Sequence, residues 1–162
     1  MLINWIGWRK RPVTSTSKVS AQPEQREPVP APASRSRPRL RPLGNPPDTK
    51  QWFAGKELTT DWLSGKDKFW FSALEHLRDK PARVLEVGSY EGRSAIVFLS
   101  YLSKCHLTCI DTFPFSNGVE ERFDRNLASF GDRLTKIKDH AATALDRLRR
   151  ERASFDIIYL DA

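Results

Sequence analysis

The chain of 162 residues holds only two cysteines, one methionine, three histidines and three tyrosines. Two cysteines exclude a disulfide scaffold and a four-cysteine zinc site. Cys105 and Cys109 lie in or beside an apolar run and read as reduced, buried thiols, which implies a reducing, cytoplasmic setting. A bridge between them along one strand fails on reach, because Cα atoms four extended residues apart are about 13 Å apart. No run approaches the ~18 apolar residues that a membrane-crossing helix needs. The apolar leader at residues 2–8 is too short for a secretory signal and precedes the basic Arg9-Lys10-Arg11, the reverse of the required order.

What is present is unevenly spread. Residues 1–50 carry ten Lys/Arg against three Asp/Glu, so the whole net charge of +7 lies there, with nine of the eleven prolines. Residues 51–162 carry 17 charges of each sign. Two domains of behaviour are therefore expected: a disordered, basic, proline-rich tail over 1–50 and a neutral globular body over 51–162. The tail alternates Arg and Pro from Arg35 to Pro42, which favours extended chain, and it offers little apolar surface to offset its ordering entropy. A basic tail behind a Trp/Ile leader could touch acidic lipid or nucleic acid, but a solvated tail is the simpler expectation. The neutral body gives no reason to expect nucleic acid as a partner.

In the body, Trp70, Ala73, Leu74 and Leu77 repeat at helical spacing before Pro81. Residues 83–87 form a short β-branched run, then a glycine turn, then a helix over 94–102. A second strand spans 106–110 and is closed by Asp111. A helix through Val119, Phe123, Asn126, Leu127 and Phe130 follows. A third strand spans 134–138, a helix runs through Ala141, Ala144, Leu145 and Leu148, and a fourth strand spans 155–160. Strict alternation of helix and strand predicts an α/β fold: a Rossmann-like, doubly wound parallel sheet of about four strands.

Open parallel sheets bind ligands beyond the carboxyl ends of their strands. Each strand here carries a polar residue at that end: Glu86 before Gly88, Asp111, the Asp139-His140 pair, and Asp161. Any one of them is explained by a solvated turn, and Asp139 by capping the helix that starts near Ala141; four together point to a site. Gly88 suits a turn closed to other residues, and Gly92 suits a close helix start that leaves room for a ligand. The free amides at that helix start favour an anionic group such as a carboxylate. A nicotinamide site would use G-x-G-x-x-G, whereas this turn reads G-x-x-x-G with Tyr90 at its centre. Asp111 falls at the end of the next strand, where a carboxylate accepts ribose hydroxyls.

The run Glu86-Val87-Gly88-Ser89-Tyr90-Glu91-Gly92-Arg93-Ser94 resembles the first motif of the class I S-adenosylmethionine-dependent methyltransferases, in the branch with small-molecule O-methyltransferases. Residues 107–113 resemble that family's second strand with its acidic end, and residues 155–162 its fourth strand. The resemblance covers roughly residues 60–162. It implies that Gly88 and Gly92 shape the cofactor loop. Ser89, Tyr90 and Ser94 would lie near the methionine end, Glu86 near the cofactor's amino group, and Asp111 on the ribose. Asp139 and His140 would flank the adenine. In the metal-dependent branch, the acid at Asp161 ligates a divalent cation such as magnesium beside the acceptor.

The implied reaction is methyl transfer to a small-molecule acceptor, in the first instance a hydroxyl. No catalytic base is legible: His76 and His106 read as structural or surface residues, and only His140 lies at the right end of the sheet. The family's domain has seven strands, so residues 51–162 read as its cofactor-binding half, C-terminally truncated, with the activity of the chain in question. The alternatives are a non-catalytic half-domain and an NAD-binding Rossmann protein.

Overall fold

The computed structural model describes residues 47–65, 67–114 and 118–161. The expected tail lies outside these residues except for positions 47–50, of which Lys50 already opens the first helix. The elements are α1 (Lys50–Phe53), α2 (Asp67–Leu74) with a 3-10 turn at Glu75–Leu77, β1 (Ala82–Val87), α3 (Arg93–Tyr101) and β2 (Cys105–Asp111). They continue with α4 (Val119–Leu127), a 3-10 segment at Ala128–Arg133, β3 (Leu134–Lys138), α5 (Ala141–Arg150) and β4 (Ile157–Leu160).

The four strands form one sheet in the order β3-β2-β1-β4, and every pair is parallel. The chain moves outward from β1 to β3 and then returns to the other side of β1. The strand order therefore reverses at β1, and the crevice of a doubly wound sheet opens at that point. β1 and β2 are buried on both faces, leaving only Arg83 and His106 exposed, as near-continuous apolar runs in a central parallel strand require. β3 and β4 carry only half-buried and exposed positions, in strict alternation in β4.

The two faces have separate cores. On one, Val84, Leu107, Cys105 and Cys109 pack with α2, α3 and α4. Phe71, Phe113 and Phe123 are fully buried there, each stabilising the fold by about 1.5–3 kcal/mol. Trp70 stacks on Phe98 at 5.0 Å and meets Tyr159 edge-on at 4.6 Å, tying α2 to α3 and β4. On the other face, Leu85, Val87 and Ile110 meet Ala144 of α5. The α5 side of β4 is less covered, with Ile158 and Leu160 exposed.

Some bounds differ from the sequence pattern for local reasons. α2 ends at Leu74 and tightens into its 3-10 turn well before Pro81. Phe130 leaves the helical row because α4 stops at Leu127 and Gly131, at φ 54° and ψ −131°, breaks the segment that follows. Asp111 belongs to β2, since it pairs in register with Lys138.

Candidate cofactor cleft

Three backbone hydrogen bonds extend the ladder just past the strand ends. Gly88 N donates to Ile110 O at 2.9 Å, Asp139 N to Asp111 O at 3.0 Å, and Asp161 N to Val87 O at 2.9 Å. This register brings Gly88, Asp111, Asp139 and Asp161 to one rim of the sheet, as the strand-end pattern predicts. Beyond the rim lies a cleft of about 290 Å³, lined by these four residues together with Ser89, Tyr90 and Ser94.

Asp111 is held in place by the loops on both sides of it. Its Oδ2 accepts Tyr90 N–H at 2.8 Å, and its Oδ1 accepts Phe113 N–H at 2.8 Å. An ionised carboxylate has about four acceptor sites, so each oxygen keeps one for a hydroxyl. Both donors sit on non-glycine residues in the left-handed region, Tyr90 at φ 47° and Phe113 at φ 46°. Such a backbone costs roughly 1–2 kcal/mol per residue and gathers at functional sites.

Ser89 is buried, and its Oγ has no hydrogen-bond partner. It lies close enough to Glu86 and Cys109 to favour their charged forms, yet it reaches neither at hydrogen-bond geometry. An orphaned hydroxyl beside a polar cleft has free hydrogen-bonding capacity for a ligand.

Three residues that the sequence places in the site stand elsewhere. Glu86 is wholly buried and does not line the cleft. Register puts it on the α3 face, where Ser94 Oγ donates to Oε1 and Cys109 Sγ donates to Oε2 at 3.3 Å. Ser94 thus stands between Glu86 and the cleft. Burial pushes the Glu86 carboxyl above its usual range; the two donors oppose this and the charge of Asp161 adds to it. Gly92 does not leave room for a ligand. At φ +85°, its missing Cβ would come within 2.9 Å of Leu127 Cδ1 and 3.3 Å of Phe123 Cδ2, so it lets α4 pack against the loop. His140 is exposed at the N-cap of α5 and lies off the cleft. Asp139 is not that cap: its Oδ1 accepts His140 N–H at 2.8 Å.

The structure also supplies a wall that no motif announces. Leu58, Thr60, Trp62 and Leu63, on the loop between α1 and α2, line the same cleft. Glu91 fixes that loop: its carboxylate accepts Thr59 N–H at 2.6 Å, Thr59 Oγ1–H at 2.7 Å and Arg122 Nε–H at 2.6 Å. Burial alone would raise Glu91, but the Thr59 donors and the Arg122 charge outweigh it and hold the carboxyl below its usual range. Asn126 closes the brace, donating from Nδ2 to Glu57 O and Glu91 O, both at 2.9 Å. An aromatic in a polar, non-periodic stretch, Trp62 beside Asp61, was the one available signal.

At the end of β4, Tyr159 O–H donates to Asp161 Oδ2 at 3.0 Å, and both residues line the cleft. Burial, that hydrogen bond and the nearby Glu86 raise the phenol's pKa above its usual value. Among the described residues, no three His, Cys, Asp or Glu side chains come together as a metal site. Asp161 has no partner ligands for a cation among them. His106, which the sequence reads as structural, bonds through Nε2 to Thr135 Oγ1 at 2.8 Å.

Residues 85–162 match a family model described as a methyltransferase domain. No curated protein matches the chain. Among solved structures, it is similar to a SAM-dependent methyltransferase from Agrobacterium tumefaciens, with 21% identity and a TM-score of 0.48 over 57% of this chain and 29% of that one. A protein-L-isoaspartate O-methyltransferase is similar at 20% identity and a TM-score of 0.40, over 58% of this chain and 29% of that one. The chain thus spans under a third of either protein's length. Among the described residues, no helix is long and apolar enough to cross a membrane.

Proposed function

We propose that residues 51–162 bind S-adenosylmethionine and form the donor side of a methyltransferase acting on a small-molecule hydroxyl. The observation that carries this is Asp111: a carboxylate at the end of β2, held by the amide of Tyr90 from the β1 turn, with one acceptor site free on each oxygen. That geometry suits the vicinal hydroxyls of a ribose. Gly88, Ser89, Tyr90 and Ser94 line the loop at which the methionine end would lie, and Asp139 the end at which the adenine would lie. The unpartnered Ser89 hydroxyl is a ready donor or acceptor there. Glu86 acts from below through Ser94, whose hydroxyl it orients at the methionine end of the cleft.

When bound, the cofactor supplies a methyl group on a positively charged sulfur, which leaves as a neutral thioether. The chain's task is to hold that group and align the acceptor oxygen with it. Asp161 lines the cleft at the end of β4. It is a carboxylate placed to take the acceptor's proton on that side, and no metal is invoked.

The test is calorimetric titration of the full chain with S-adenosylmethionine and with NAD. The expected result is binding of the first alone. Loss of a hydrogen-bonded charge predicts affinity about 10- to 100-fold weaker in Asp111→Ala. Asp111→Asn, which keeps an acceptor for one of the two amides, controls for loop collapse and falls between. Binding of NAD in place of S-adenosylmethionine, or equal affinity in all three proteins, overturns the proposal.

A further inference from the structure

Trp62 is the most exposed large apolar side chain among the described residues, at 63%. Yet the loop that carries it is firmly held. Besides the Glu91 and Asn126 bonds, Arg93 Nε donates to Thr60 O at 2.9 Å, and its guanidinium lies 3.5 Å from Asp61. A tryptophan shown to water on a braced loop gains nothing for the fold, and pre-ordering it lowers the cost of binding. Its indole lies over the Tyr90 ring, with centroids 5.5 Å apart and planes tilted by 38°. Both rings line the cleft.

The placement ties these rings to the donor rather than to the acceptor. Tyr90 is the residue whose amide holds Asp111. The loop bearing Trp62 is fastened to Glu91 and Arg93, the next residues of that same turn and helix start. Arg93 is already occupied by Thr60, Asp61 and the Phe53 ring, so it does not supply a cation to the indole. The cleft also carries Asp111, Asp139 and Asp161. Aromatic faces and carboxylates around one cavity favour an organic cation.

From this we infer that Trp62 and Tyr90 form an aromatic wall that receives the positively charged sulfonium end of S-adenosylmethionine, with Trp62 as a cofactor-positioning residue. The inference rests on the cofactor reading above. The indole face attracts the sulfonium and its methyl, and the 57–63 loop closes the methionine side of the cleft. The neutral thioether left after transfer loses that attraction, which favours exchange of spent for fresh cofactor.

The full chain, Trp62→Ala and Trp62→Phe are titrated with S-adenosylmethionine, S-adenosylhomocysteine and adenosine. Loss of one cation–ring contact predicts S-adenosylmethionine binding about tenfold weaker in Trp62→Ala. A smaller loss is expected for S-adenosylhomocysteine, no change for adenosine, and near-recovery in Trp62→Phe. Thermal unfolding of the ligand-free variants should stay at the parent value, since so exposed a ring contributes little to folding. Unchanged S-adenosylmethionine affinity in Trp62→Ala overturns the inference and leaves the cofactor reading intact. An equal loss for adenosine also overturns it, by placing the indole on the adenine. Absence of S-adenosylmethionine binding by the unaltered chain overturns both.

Discussion

Glu86 in β1 and Glu91 in the turn that follows lie five residues apart, both are buried, and they occupy opposite kinds of region. Beneath the cleft, Glu86 meets only neutral donors, Ser94 and Cys109, on the sheet floor. Beside the cleft, Glu91 meets a guanidinium, a backbone amide and a hydroxyl that together fasten the 57–63 loop. Burial acts on both in the same direction, and the partners decide the outcome: Glu86 is held above its usual range and Glu91 below it. Burial alone therefore does not identify a functional carboxylate. The floor keeps an acid without a cation, available to a charge that arrives with a ligand, whereas the brace has spent its charge on structure.

The contrast is most strongly tested on the brace. Glu91→Ala strands Arg122 and the Thr59 donors, and breaking such a partly buried pair costs about 3 kcal/mol or more. Urea unfolding at neutral pH measures it; a loss below about 1 kcal/mol would show that the loop is held by other contacts. The native carboxylate's contribution is complete above the ordinary value of 4.5 and fades as pH falls through its lowered folded value.

The floor has the opposite sign. Folded Glu86 holds its proton more tightly than the unfolded chain does, so stability falls as pH rises from 4.5 toward the raised folded value. The slope from one such group reaches at most about 1.4 kcal/mol per pH unit. Glu86→Gln should remove that slope in unfolding curves taken across the window. A slope that persists would assign it to another group.

The smallest effect belongs to the outer rim of the brace. Arg125 and Glu57 pair at 2.6 Å with both side chains more than half exposed. Arg125→Ala should leave the urea midpoint unmoved at physiological salt, because solvent screens such pairs. A clear shift would make this pair part of the brace.

The sheet was legible because its signals are local. Apolar runs at 83–87 and 106–110 read as strands, each within a residue of β1 and β2, and the third strand's bounds at 134–138 coincide with β3. The rim followed, since strand ends locate Gly88, Asp111, Asp139 and Asp161 without knowledge of side-chain contacts. The depth of Glu86 was not legible. It depends on register, which pairs Glu86 with Cys109 and brings Ser94 above it. His140 sits next to Asp139 in sequence, but its N-cap position leaves it exposed and off the cleft. The Trp62 loop left no periodic trace, because its fastening runs from Thr59 to Glu91 and from Glu57 to Asn126, between residues far apart in the chain.

β4 joins the sheet through β1 alone among the described strands, with four residues and a partner more than seventy positions away; Asp156 Oδ2 accepts Arg83 N–H at 2.8 Å across that span. β1, β2 and β3 are joined in succession by short crossovers, so their pairings are far more local in the chain than that of β1 with β4. The rim of the cleft is thus drawn from both ends of the body: Asp111 arrives through pairings between near segments and Asp161 through a distant one.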